Sequence, residues 1–174
     1  MTGGTADTSV PYIDTDYFEF VYGDESDGER IIDSQYWTTA EYVWTVMDGQ
    51  HGVFGVNFAD GRIKGYGTSI FGSEKTFFVL YVRGNTSYGV NDFIDNYDGT
   101  ITDAASGLVW QQGDSGQGLD WAGALSYCEN LELAGQDDWR LPNAKELQYL
   151  VDYDRGPDAS GSVAIDPLFY TSEI

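Results

Sequence analysis

The spacing of apolar residues changes near the middle of this chain, and that change restricts the fold more than any single motif. Through residues 17–82 apolar and aromatic side chains alternate or cluster in short runs broken by glycine, the mark of half-buried strands. Strands are expected over 17–22, 42–46, 53–58, 62–66 and 77–82, with polar loops at 23–29, 48–52 and 67–75. Asp60-Gly61 between two of them predicts a type I′ hairpin. Beyond residue 120 the period becomes that of a helix. Trp121, Ala124, Leu125, Cys128 and Leu131 fall on one face behind Asp120 as N-cap, predicting a helix over about 121–133. Asn143 and Glu146 form a capping signature before Leu147, Leu150 and Val151, predicting a second over about 143–152. Short strands at 100–102 and 108–111 flank a turn at 104–107. The expected class is α+β, with mostly antiparallel strands and two helices.

Charge narrows the partners. The 174 residues hold 29 acids against 8 bases, a formal net charge of −21. Such a chain repels phosphate backbones and anionic lipid, so nucleic-acid binding is not expected. Cations, neutral glycans and basic proteins fit. Hydrophobic residues make up 41% of the chain and aromatics 16%, which is enough for a folded core and too much for an acidic disordered tail. No stretch reaches the length of a membrane span, and the first ten residues lack the pattern of a signal peptide. Cys128 is the single cysteine, so no intrachain disulfide or cysteine-rich zinc site forms.

Three groups of residues are candidates for chemistry. Asp95, Asn96, Asp98 and Asp103 concentrate oxygen ligands of the kind calcium takes, although the spacing is not that of an EF-hand; the alternative is an Asp/Asn turn leading into the strand at Thr100. Tyr36, Tyr42 and Trp44 offer rings able to stack on a sugar, although alternation puts one side of their strand in the core. Arg140 is one of three bases in residues 85–174, and a charge-assisted bond to a nearby carboxylate or to loop carbonyls is expected. His51, the only histidine, lies in a Gly-rich tip without companions for a triad or a zinc site. No carboxylate pair stands out among so many, and no enzymatic activity is expected. Cys128 reads as a small buried hydrophobe.

Residues 98–103 (DGTITD), 106–111 (SGLVWQ) and 138–147 (DWRLPNAKEL) resemble, in order, the start of the Lcl C-terminal domain, also called DUF1566. Residues 36–42 (YWTTAEY), 56–61 (VNFADG) and 81–84 (YVRG) resemble the end of the same domain. The end therefore precedes the start. Ile13-Asp14-Thr15-Asp16-Tyr17-Phe18 also echoes Ile165-Asp166-Pro167-Leu168-Phe169-Tyr170 at an offset of 152 residues, as in a tandem array. The resemblance implies residues 1–11 as a flexible N-terminus, 12–84 as the C-terminal half of one unit, 85–99 as a linker and 100–174 as the N-terminal half of the next. It implies a C-type-lectin-like fold in which residues 77–83 pair with the strands around 100–110. The two halves are expected to form one circularly permuted domain; the alternative is half-domains completed by neighbours in a swapped oligomer. Where family members carry a second cysteine, this chain has Tyr81.

The resemblance further implies a secreted or cell-surface repeat protein acting in recognition or adhesion, with a glycan or protein ligand and with neighbouring repeats or a homo-oligomer as partners. The family's namesake is associated with sulfated glycans, but eight scattered bases do not make a polyanion site. Neutral glycan, calcium-assisted glycan or a protein partner fits the charge better. The competing reading is a structural spacer of a surface fibre without a specific ligand.

Overall fold

β1 (Gln35–Val46), β2 (Gln50–Asn57) and β3 (Arg62–Gly67) form an antiparallel sheet in that order in the computed structural model, which describes residues 5–172. Tyr36 faces Val56 and Thr45 faces His51, with two irregularities of register on either side of Glu41. The three strands expected over 42–46, 53–58 and 62–66 are present, each longer than its apolar run. The hairpin between β2 and β3 is not the expected two-residue turn. Asn57 pairs with Arg62, leaving a four-residue loop in which the Asn57 side chain accepts from the Ala59 amide at 2.9 Å and donates to the Ile32 carbonyl at 2.7 Å. Only Gly61 takes a left-handed φ, 74°. The side chain of a buried asparagine, rather than Asp60-Gly61 alone, shapes this connection. A two-residue turn with both φ values positive occurs at Phe71-Gly72 instead, where β4 (Ser69–Ile70) pairs with β5 (Ser73–Glu74).

Two strand expectations are corrected. Residues 17–22 form no strand, because Asp14 starts a turn whose carbonyl accepts from Tyr17 and Phe18. The run at 77–82 is reduced to a parallel bridge between Phe78 and Tyr36, and residues 79–83 lie in no strand. Trp37 stacks on Phe77 at 4.1 Å and Tyr66 meets Phe77 edge-on at 4.9 Å. A Cβ at Gly55 would stand 3.1 Å from both the Tyr36 carbonyl oxygen and the Tyr66 ring, so a larger residue there would push one of them aside by a few tenths of an ångström.

β6 (Phe93–Asp95), β7 (Thr100–Asp103) and β8 (Leu108–Gln111) make a second antiparallel sheet, in order β6-β7-β8 and of these strands alone. β6 falls inside the segment read as a linker. α1 (Trp121–Glu129) is capped by Asp120, which accepts from the Gly123 amide. α2 (Ala144–Tyr149) begins on the expected capping box at Asn143 and Glu146. Both helices are shorter than the periodicity suggested, because Asn130 and Leu150 close them while the apolar pattern runs on into irregular chain. The core here is Ile101, Leu150 and Phe169, with Phe93, Trp110, Ile165 and Leu168 around it. Trp121, expected on the buried stripe, is 76% exposed.

Contacts divide the chain into two units: Met1–Arg83 with Tyr153–Ser162, which includes α3 (Pro157–Ser160), and Gly84–Asp152 with Val163–Ile174. The architecture is mixed α and β, with antiparallel sheets and few helices. Among the described residues no helix is long and apolar enough to cross a membrane.

Candidate functional site

β1 carries the three aromatic residues singled out for ligand stacking, and it places them differently. Tyr36 is buried, its ring 5.0 Å from Phe58 and 5.4 Å from Phe78. Tyr42 is half-buried, edge-on to Phe54 at 5.8 Å, and Phe54 in turn meets Tyr153 at 4.5 Å. Trp44 is 54% exposed, the one of the three whose ring is open to solvent. Nearby, His51 Nε2 lies 3.1 Å from Glu41 Oε2, with both side chains exposed.

The acidic turn before β7 uses its oxygens on its own backbone. Asp95 accepts from the Tyr97 amide at 2.8 Å, and Asp98 accepts from the Thr100 amide and hydroxyl at 3.1 and 2.6 Å. Asn96 donates to the hydroxyls of Thr100 and Thr102. Asp103 is fully buried. It accepts from the Asp92 and Ala105 amides, the Ser106 hydroxyl and the Asn91 side chain at 2.7 to 3.3 Å. Burial by itself would raise this carboxyl, but the four donors outweigh it and hold the group below its ordinary value. Among the described residues, no three His, Cys, Asp or Glu side chains are grouped to hold a metal ion.

A cleft of about 890 Å3 lies in the second unit, lined by residues that include Trp110, Tyr127, Cys128, Leu131, Trp139 and Leu147. Sequence reading took several of these for packed core and so missed the cleft. Gln111 donates to the Tyr127 hydroxyl at 2.9 Å, and Trp110 Nε1 is buried without an acceptor. On the lining, Arg140 donates twice to Glu146, at 2.8 and 2.6 Å, the charge-assisted bond expected of it. The Arg140 guanidinium, helped by the Asn143 amide, pulls Glu146 down to about 2. Burial and the neighbouring Glu129 push the free Cys128 thiol up, away from the thiolate that makes a cysteine reactive.

No curated protein and no solved structure matches this chain. Residues 99–172 match the Lcl C-terminal domain, the segment that holds β7, β8, both capped helices and most of the lining of the cleft. Over this segment the chain is similar to the Lcl C-terminal domain, as the motifs at 98–111 and 138–147 imply.

Proposed function

We propose that this protein is a non-enzymatic recognition or adhesion module of a secreted or cell-surface tandem-repeat protein, and that it binds a neutral glycan at Trp44. The observation that carries the reading is the open indole of Trp44, 54% exposed on the strand whose Tyr42 packs with Phe54. An exposed ring of this kind offers a sugar an apolar face beside a polar edge, and a net charge of −21 favours an uncharged ligand. The tandem reading is supported by the two echoing segments, which share one turn. Asp14 accepts from the Asp16 amide at 3.0 Å, and Asp166 accepts from the Leu168 amide at 2.9 Å. A lectin-like, circularly permuted unit remains part of this proposal, resting on the order of the motifs.

The test is a glycan array probed with the full chain, with and without calcium. Binding of neutral oligosaccharides that falls about tenfold or more in Trp44→Ala, with an unchanged melting temperature, is the expected result. An array without neutral glycan binders, or binding indifferent to Trp44→Ala, sinks the reading.

A further inference from the structure

Residues 78–90 are exposed without interruption, and Arg83 stands where the chain leaves the first unit for the second. Before it, Phe78, Val79, Leu80, Tyr81 and Val82 are all apolar, and each is at least half exposed. From Val79 to Gly84 the chain lies in no helix or strand, and its backbone forms no hydrogen bond among the described residues. An endopeptidase holds its substrate as an added strand, with backbone groups pairing along its groove and alternate side chains filling its pockets. A segment with unused backbone donors and acceptors and open apolar side chains meets that requirement as it stands. A bond inside a sheet or helix is reached only after the element opens.

The basic residues single out one bond within this segment. Of the eight in the chain, Arg62 and Lys64 lie in β3, paired with β2, and Lys145 lies in α2. Arg30 and Arg140 are exposed, but Asp33 and Glu146 hold their guanidinium groups. Lys75 and Arg155 are half-buried. Arg83 alone among the described residues is a base that is exposed, outside any helix or strand, and in no ion pair.

We infer that the Arg83–Gly84 bond is a processing site for an endopeptidase that cuts after basic residues, with the 79–82 run seated in its groove. Water adds to the Arg83 carbonyl carbon and the C–N bond breaks. The hydroxyl stays on Arg83, whose new carboxyl gives up its proton, and the Gly84 nitrogen leaves as an amine that is protonated near neutral pH. The two pieces stay together. Residues 153–162 belong to the first unit, where the Tyr153 ring meets Phe54 at 4.5 Å and a Cβ on Gly156 would lie 3.4 Å from the Val43 side chain. The piece that begins at Gly84 therefore keeps a segment packed within the piece that ends at Arg83. With Cys128 the only cysteine, no disulfide links them.

The test is brief digestion of the full chain with a trace of trypsin, which cuts after lysine and arginine. Products are read by mass under denaturing conditions and by light scattering on a native column. The first products should be residues 1–83 and 84–174, while the native mass stays near 19.2 kDa. Arg83→Gln, with its fold checked by circular dichroism, should slow the first cut about tenfold or more, because the other sites are structured or paired. Arg83→Lys should restore it. Urea below the unfolding transition should leave the cut at Arg83 unchanged and speed cuts at bases within β3 and α2. A first cut at another base, an Arg83→Gln chain cut as fast as wild type, or pieces that separate on the native column overturns the proposal.

Discussion

Asp103 is the residue at which composition and environment part most clearly. As a letter in an acidic segment it reads as an oxygen ligand; in the structure it is a buried anion whose charge is matched by donors from Asn91, Asp92, Ala105 and Ser106. Two of these lie 11 and 12 residues upstream, beyond the reach of any local pattern. Replacing the carboxylate leaves those donors buried and unmet, so Asp103→Ala should destabilise the second unit by about 3 kcal/mol, read by chemical denaturation. Gly55 shows the same limit. Its identity is visible in the sequence, but the tight packing around it, with the Tyr36 carbonyl and the Tyr66 ring each 3.1 Å from where a Cβ would stand, is not.

At the scale of elements, local chemistry carried much further. The Asn143 box that starts α2 and the Asp120 cap of α1 depend on residues within three positions of each other, and both are legible in the sequence. Asn143→Ala should cost about 1 kcal/mol, seen in the melting temperature. Glu146 also closes the Arg140 pair, and its folded value is about 2 against an ordinary 4.5. Its stabilisation is therefore complete above the unfolded value and lost as pH falls from 4.5 toward 2. The melting difference between wild type and Glu146→Gln should stay constant above pH 5 and shrink below it; a difference that grows on acidification would refute the assignment. The strands were less faithful to their pattern. Residues 77–82 have the composition of a strand but no partner beyond the bridge at Phe78, and residues 17–22 are diverted at their start by the Asp14 turn. A strand exists only through its neighbour, whereas a helix makes its own hydrogen bonds.

For the whole molecule, the charge of −21 sets what approaches it. The chain should pass through a heparin column at physiological salt, and retention that needs high salt to reverse would overturn the argument from charge. Composition, the change of apolar period and the DWRLP-type motifs by themselves determined the mixed α and β class, the two capped helices, the strands β7 and β8 of the second unit, and the resemblance of residues 99–172 to the Lcl C-terminal domain. Each of these is a property of neighbouring residues or of sums over the chain. Only the tertiary structure decided that Tyr36 is buried while Trp44 is exposed, that Asp103 holds backbone amides, and that the stripe of α1 lines a cleft. Periodicity shows that a face is apolar. What covers it depends on which distant segment reaches it, and spacing along the chain does not encode that.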